Sequence, residues 1–156
     1  MYIEELFTEK IYPNEILPVE ITDFESITPT RYFFDWQLES NYEIYKLVLK
    51  GKEDILGLIS IERIPTEWRI HIRLLTVSIE NKGKNKKFDK IIGNLIAYVS
   101  KIAIVSFGEI ACVSLQPKSL IAEHYITKYK MKITGLTLSL EVPELIHLIN
   151  EYENEK

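Results

Sequence analysis

Residues 68–107 read WRIHIRLLTVSIENKGKNKKFDKIIGNLIAYVSKIAIVSF. Three patterns follow one another in this stretch. Ile70, Ile72 and Leu74 alternate with His71 and Arg73, the period of two that marks a strand. The alternation loses phase around Leu74-Leu75, which predicts a β-bulge or a strand end. A polar, lysine-rich loop then runs from Val77 to Asp89. From Ile91 to Phe107, apolar residues recur at steps of three and four (Ile91, Ile92, Leu95, Ile96, Val99, Ile102, Ala103), which predicts a helix. Only Lys90, Asn94, Ala97 and Lys101 form an outward stripe, so the helix is expected to be buried on nearly every side. It is too short, and too interrupted by Lys101, to read as a membrane span. Asp89 is the expected N-cap, because a carboxylate there can accept from the free amides of the first turn.

Working outward, Tyr42–Leu49 and Asp54–Ile64 read as strands joined by a Lys50-Gly51-Lys52 turn, and Trp68–Ile79 follows after Pro65-Thr66. Beyond the helix, Glu109–Leu115 reads as a buried strand, Ser119–Lys130 as a second helix, and Lys132–Leu140 as another alternating strand. Pro143 suits the first turn of a last helix with Leu145, Ile146, Leu148, Ile149 and Tyr152 on its apolar face. In residues 1–41, Ile16–Ile21 reads as a strand that Pro18 would place at an edge. Phe33, Phe34 and Trp36 form an aromatic cluster. The order from Tyr42 onward is β-β-β-α-β-α-β-α, which predicts an α+β fold with a mixed central sheet.

The chain has 156 residues, 46% of them apolar and 27% charged. That is one domain of ordinary globular composition, long enough to bury a core without cross-links. A single cysteine, Cys112, excludes an internal disulfide framework and a cysteine-rich zinc site. Residues 1–10 carry four charged residues and no apolar block, so no signal peptide is read there and a cytoplasmic setting is expected. His71, His124 and His147 lack metal-ligand spacing, and no metal is expected. The net charge of −4 argues against nucleic acid as the main partner. It hides an asymmetry. Residues 82–90 hold Lys82, Lys84, Lys86, Lys87 and Lys90 against Asp89, so this window carries +4 and the remainder −8.

The position of that window carries the chemistry. The amides at a helix N-terminus, together with its dipole, favour an anion. Gly83 and Asn85 tolerate positive φ, so the N–H groups of Lys82-Gly83-Lys84-Asn85-Lys86-Lys87 can turn inward as a nest. A phosphate or pyrophosphate is the ligand that such a loop suits. Solvated lysines in a plain surface loop are the alternative.

At this point the residues resemble a known family. Lys82-Gly83-Lys84-Asn85 stands where the GNAT superfamily of N-acetyltransferases has Arg/Gln-x-x-Gly-x-Gly/Ala. Ile92-Gly93-Asn94-Leu95 resembles the Gly/Ala-x-x-Leu that continues onto the helix. Leu120-Ile121-Ala122-Glu123-His124-Tyr125 with Thr127-Lys128-Tyr129 is similar to the Ala-x-x-Leu-Tyr-x-Lys-Leu-Gly-Phe signature. The wording ENKGKNKKFDKIIGNLIAYVSKIA followed by LIAEHY looks like a small bacterial GNAT-like subgroup. The resemblance covers roughly residues 42–141. It departs from the family pattern in Asn85 for the second glycine, in Lys82 for arginine, in a longer loop, and in Thr76 and Ser78 where an acidic residue is frequent.

The resemblance implies a GNAT-like acyl-CoA N-acyltransferase fold over a single domain, with residues 1–41 on the acceptor side, 42–141 as core and 142–156 as a C-terminal helix and tail. It implies acetyl-CoA as cosubstrate and an unidentified amine as acceptor, acetylated by direct transfer. Val77 and Ile79 would pair with the pantetheine arm, with a backbone donor for an oxyanion near Val77. Lys82, Gly83, Lys84, Asn85, Lys86, Lys87 and Gly93 would bind the pyrophosphate. Tyr125 would protonate the departing thiolate, a role suited to a phenol because its pKa lies near that of a thiol. Glu62, His71 and Glu80 are the candidate bases. A GNAT-shaped binding module that has lost catalysis is the alternative, and the resemblance allows a homodimer as well as a monomer. Each residue also has a plainer reading. Tyr125 and Cys112 can be core residues, His124 a surface one and His71 structural. Phe34-Asp35-Trp36 can be a packed corner as well as a wall of the acceptor site.

Overall fold

The computed structural model describes residues 2–83, 85–116, 126, 128–134 and 137–153. In chain order its regular elements are β1 (Tyr2–Glu5), β2 (Ile11–Pro18), α1 (Pro29–Tyr32), β3 (Glu43–Leu49), β4 (Ile55–Ile64), β5 (Arg69–Val77), β6 (Phe88–Asp89), α2 (Ile91–Phe107), β7 (Cys112–Leu115), β8 (Lys132–Thr134), β9 (Thr137–Glu141) and α3 (Val142–Glu153). Among the described residues, nine strands form one sheet in the order β6-β1-β2-β3-β4-β5-β7-β9-β8. Every neighbouring pair is antiparallel except β5 and β7, which are parallel. A parallel pair needs a crossover, and α2 lies within it.

β4 is central, and its first seven residues are buried, as expected of a strand covered on both faces. On one face lies the larger core, where Ile59, Ile61, Ile70 and Ile72 meet Leu95, Ile96 and Val99 of α2 and Leu145 and Leu148 of α3. Full burial of Leu95 alone contributes roughly 1.5–3 kcal/mol. Gly57 lets α2 approach β4, because a Cβ there would lie 2.6 Å from Ile91 Cγ2. On the second face, residues 19–36 pack Ile27, Tyr32 and Trp36 over Ile44, Val48, Ile55 and Leu58. Trp36 is held by its indole N–H on the Tyr32 carbonyl (3.1 Å), and the Tyr32 hydroxyl donates to the Ile55 carbonyl (2.7 Å). Burial pushes the Tyr32 phenol up to about 12.

The helix Ile91–Phe107 has the expected bounds, and none of its residues from Ile91 to Ser100 is exposed, as expected of a helix covered on nearly every side. The expected outward stripe does not hold at Asn94 and Ala97, which are fully buried, and exposure begins only at Lys101. Val105 is 87% exposed. The stretch Ile91–Ile110 is long and apolar enough on composition to cross a membrane, and half of it is buried within the protein. The residue at the N-cap is Lys90, in a left-handed conformation (φ 74°), and Asp89 precedes it in β6. Pairing of Asp89 with Glu4 of β1 keeps it extended and moves the start of the helix on by one residue.

Other expectations shift as well. The N-terminal strand runs from Ile11 to Pro18 and lies inside the sheet between β1 and β3, not at an edge. Pro18 is tolerated there because it is the last residue, and Val19 resumes donation to the Ile44 carbonyl (2.8 Å). Trp68–Ile79 shortens to β5, since Trp68 is left-handed (φ 49°) and Ile79–Asn81 form a 3₁₀ turn. Glu109–Leu115 shortens to β7 behind the 3₁₀ turn Gly108–Ile110. Lys132–Leu140 is two strands, paired from Thr134 with Thr137 to Lys132 with Ser139. Most of the expected helix Ser119–Lys130 lies outside the described residues.

Candidate functional site

β5 and β7 run together only from Arg69 opposite Cys112 to Ile72 opposite Leu115. Beyond Ile72, β5 continues to Val77 while β7 has ended. The same point carries the bulge. Ser60 of β4 faces Leu74 and Ile61 faces Ile72, so Arg73 is the unpaired extra residue. The insertion reverses the phase of β5. Ile70 and Ile72 face the α2 core before it, and Leu75 and Val77 do so after it. Ser78 donates its N–H to the Leu56 carbonyl (2.9 Å). Since successive peptide groups of a strand alternate in direction, those of Leu75 and Val77 point to the side that β7 has left.

The loop beyond β5 closes on itself. The Lys87 N–H reaches the Glu80 carbonyl (3.2 Å). Buried Asn81 pins both ends, donating to Ser78 Oγ (2.8 Å) and accepting from the Phe88 N–H (2.9 Å). Gly83 takes the positive φ of 79° that the turn requires. A cleft of about 300 Å³ lies between Val77, this loop and the first turn of α2, and Lys86, Lys128 and Tyr129 also line it. Among the described residues, the residue at the N-cap makes no side-chain capping hydrogen bond to that first turn. Lys86 Nζ stands 2.9 Å from Asp89 Oδ1, which also accepts from the Lys90 N–H. Burial works to raise the Asp89 carboxyl, but these two hydrogen bonds and the nearby Lys128 outweigh it, so Asp89 stays below the usual carboxylate range.

On the second face, beside the end of the β5–β7 pairing, lies a set of polar groups. Glu39, from the 3₁₀ turn Trp36–Glu39, accepts from Ser60 Oγ (2.8 Å) and Arg73 Nε (2.8 Å). Burial opposes its charge, but the bonds from Arg73 and Ser60 hold its carboxyl below the ordinary value. Arg69 Nη1 donates to Ser114 Oγ (2.7 Å) and lies 3.3 Å from His71 Nδ1, which is 2.9 Å from Ser114 Oγ. Arginine only donates, so Nδ1 is the acceptor of this ring, and the neutral imidazole carries its proton on Nε2. Burial, then the charge of Arg69, lowers the His71 pKa. Glu62 faces His71 across the β4–β5 ladder and reaches Arg73 Nη1 at 3.6 Å.

No family model matches the chain, and no curated protein does. Solved structures match it. A GNAT family acetyltransferase from Elizabethkingia anophelis with acetyl-CoA bound has a TM-score of 0.60 at 14% identity, over 83% of this chain and 98% of that one. The fold is that of the GNAT N-acetyltransferases. PaiA N-acetyltransferase from Thermoplasma acidophilum in complex with coenzyme A gives 0.59 at 15% identity, over 83% and 99%. The ribosomal-protein-S18-alanine N-acetyltransferase from Escherichia coli gives 0.60 at 10% identity, over 83% and 94%.

Within this GNAT fold, Val77, Gly83, Lys86 and Gly93 line the cleft. Gly93 is a glycine for a further reason, since the ring of Tyr152 occupies the place of its side chain. Ile79 is 52% exposed in the turn beyond Val77. Lys82 turns toward the second face, with Nζ 4.2 Å from the centre of the Phe33 ring, and Lys87 stands over Phe88. Asn85 lines a separate hollow with Leu6, Phe7 and Lys86. Glu80 is tied to Arg31, 2.8 Å from Nε, and Arg31 also pairs with Asp54 (2.9 Å). Lys84, His124 and Tyr125 lie outside the described residues. Cys112 is half-buried, and burial pushes its thiol up. Lys128, Glu39 and Arg73 were not singled out from the sequence. Lys128 could have been, since its place in the Tyr125 signature puts it one turn from that tyrosine.

Proposed function

We propose that this chain is an acetyl-CoA-dependent N-acetyltransferase that acetylates an amine by direct transfer. The observation that carries the reading is the end of β5–β7 pairing at Ile72, beside a cleft that the first turn of α2 borders. Two different parts of acetyl-CoA suit these two features. Its amide-bearing pantetheine arm would complete the edge offered by the Leu75 and Val77 peptide groups, as a further strand does. Its pyrophosphate would take the first-turn amides of α2, with Lys86 and Lys128 beside them. Lys82, Lys84, Asn85 and Lys87 would raise the potential around that end. The cosubstrate supplies an acetyl group activated as a thioester.

The chain's own residues then position and move protons. The Val77 backbone donor would stabilise charge on the carbonyl oxygen. Tyr125 would give its phenolic proton to the leaving sulfur. Among the described residues, Glu62 has one ion-pair contact, to Arg73 at 3.6 Å, and faces His71 across the ladder. It would accept the amine's proton. His71 Nδ1 is occupied by Ser114 and Arg69, and Glu80 is held by Arg31. Those two commitments favour a second reading, a binding module of GNAT shape without transfer.

Thermal-shift and calorimetric titration with acetyl-CoA tests the first step. A cosubstrate bound by the folded chain raises the melting temperature. An unchanged melting temperature at saturating acetyl-CoA removes the reading. Mass spectrometry of an amine panel then separates the two alternatives. Binding without acetylation of any amine selects the module.

A further inference from the structure

A single carboxylate touches both sides of the register shift that opens the cleft. Ser60 and Arg73 flank the point where the β4–β5 ladder skips a residue, and Glu39 accepts a hydrogen bond from each at 2.8 Å. Its second oxygen lies 3.4 Å from Arg73 Nη2. The Arg73 guanidinium carbon lies over the Tyr42 ring, 3.7 Å from its centre. Glu39 and Tyr42 belong to one turn, closed by the Tyr42 N–H on the Glu39 carbonyl (2.9 Å). That turn follows Trp36, which is fully buried. An element outside the β5–β7 region therefore grips the bulged residue along its edge and across its face.

We propose that Glu39 is a positioning residue, which fixes the bulge at Arg73 and with it the open backbone edge of Leu75 and Val77. The inference rests on the reading of that edge as the acetyl-CoA site. A one-residue slip of a strand turns every side chain to the other face. Here a slip would also turn the Leu75 and Val77 peptide groups back toward β4 and close the edge. Ladder hydrogen bonds alone do not choose where a bulge sits, since the pairing on either side of it is regular. The Glu39 clamp chooses Arg73. The side chain of Glu39 is only 9% exposed, and a carboxylate so withdrawn from water needs both of its partners, which keeps them in place.

The test is hydrogen exchange on the full chain, wild type against Glu39→Gln, together with acetyl-CoA calorimetry. In the variant the amides of Leu74 and Thr76, which face β4, exchange faster by about tenfold or more, those of α2 keep their rates, and acetyl-CoA binds about tenfold more weakly. Unchanged exchange at Leu74 and Thr76, or a rise spread evenly over the sheet, overturns the proposal, because a merely structural ion pair gives one or the other. If Glu39→Gln does not fold, Ser60→Ala and Arg73→Lys each remove part of the clamp, and the same amides accelerate to a smaller degree. No local acceleration in either variant overturns it equally. If the wild type fails to bind acetyl-CoA, the donor reading falls, while the exchange pattern still decides whether Glu39 sets the bulge.

Discussion

Tyr152 fills the space that a side chain on Gly93 would need: a Cβ there would lie 1.9 Å from Tyr152 Cζ and 2.0 Å from its hydroxyl oxygen. Gly93 is in the first turn of α2 and Tyr152 in the last turn of α3, so this contact ties the C-terminal helix to the helix end that borders the cleft. Two effects oppose each other in Gly93→Ala. Alanine is better than glycine in a helix by about 0.8–1 kcal/mol. Overpacking against a buried ring costs about 1–3 kcal/mol. The overlap is too deep for small adjustments, so we expect net destabilisation in urea unfolding. In a Tyr152→Ala background the clash is gone, and Gly93→Ala should become stabilising by up to about 1 kcal/mol. The change of sign is the check.

His71 should give the stability curve a slope near neutrality. Burial and the charge of Arg69 lower its pKa in the folded chain from the ordinary 6.5. The unfolded chain then binds the proton first as pH falls, so stability is full above pH 6.5 and declines below it, down to the folded pKa. The carboxylates held low, such as Glu39 and Glu80, act in the same direction only in a more acid range, below their ordinary value of 4.5. Urea unfolding at pH 7.5 and about pH 5.5 should therefore show a loss in the wild type that shrinks in His71→Gln. Equal losses in both would show that His71 is not shielded as its surroundings require.

Local periodicity made the strand–loop–helix core legible. The strand, the loss of phase and the helix were readable because each is a repeat of two or of 3.6 residues in adjacent positions. The bulge lies one residue ahead of where the apolar pattern breaks, at Arg73, because the inserted residue is polar on either reading. The split of Lys132–Leu140 into two strands left only a small mark, a step of three from Ile133 to Leu136 across Gly135 in an otherwise alternating stretch. The second-face groups were the least legible. Glu39 meets Arg73 across 34 positions and Ser114 meets His71 across 43, and nothing local marks either pair. Glu39 in particular reads as an ordinary surface acid before β3, and only the buried Trp36 beside it fixes its direction.

Glu62→Gln and Tyr125→Phe should separate the two proton transfers. Each should lower kcat by about 10²–10⁴-fold if it removes a general acid or base, with acetyl-CoA affinity unchanged. Glu62→Gln keeps the size of the side chain and a contact to Arg73, so folding should be intact. Turnover equal to wild type in steady-state assays would remove the residue concerned from the mechanism.

Charge at the mouth of the cleft should tune affinity in opposite directions from two neighbouring residues. Lys86 and Asp89 form a pair at 2.9 Å, each about one-third exposed, beside the first turn of α2. Lys86→Gln removes a positive charge and leaves Asp89 less neutralised, so a bound pyrophosphate loses attraction and meets more repulsion. Asp89→Asn removes that repulsion and keeps an oxygen to accept from the Lys90 N–H. One unit charge at roughly 7 Å and an effective dielectric of about 40 is worth about 1 kcal/mol, or three- to tenfold in affinity. Acetyl-CoA should therefore bind about three- to tenfold more weakly to Lys86→Gln and more tightly to Asp89→Asn at low salt. Lys82→Gln should change affinity less, since its ammonium lies over Phe33. Calorimetry at about 0.05 and 0.5 M salt checks the cause, because both effects should contract as the Debye length falls. A response to Lys86→Gln that ignores salt would assign this lysine to packing and place the anion elsewhere.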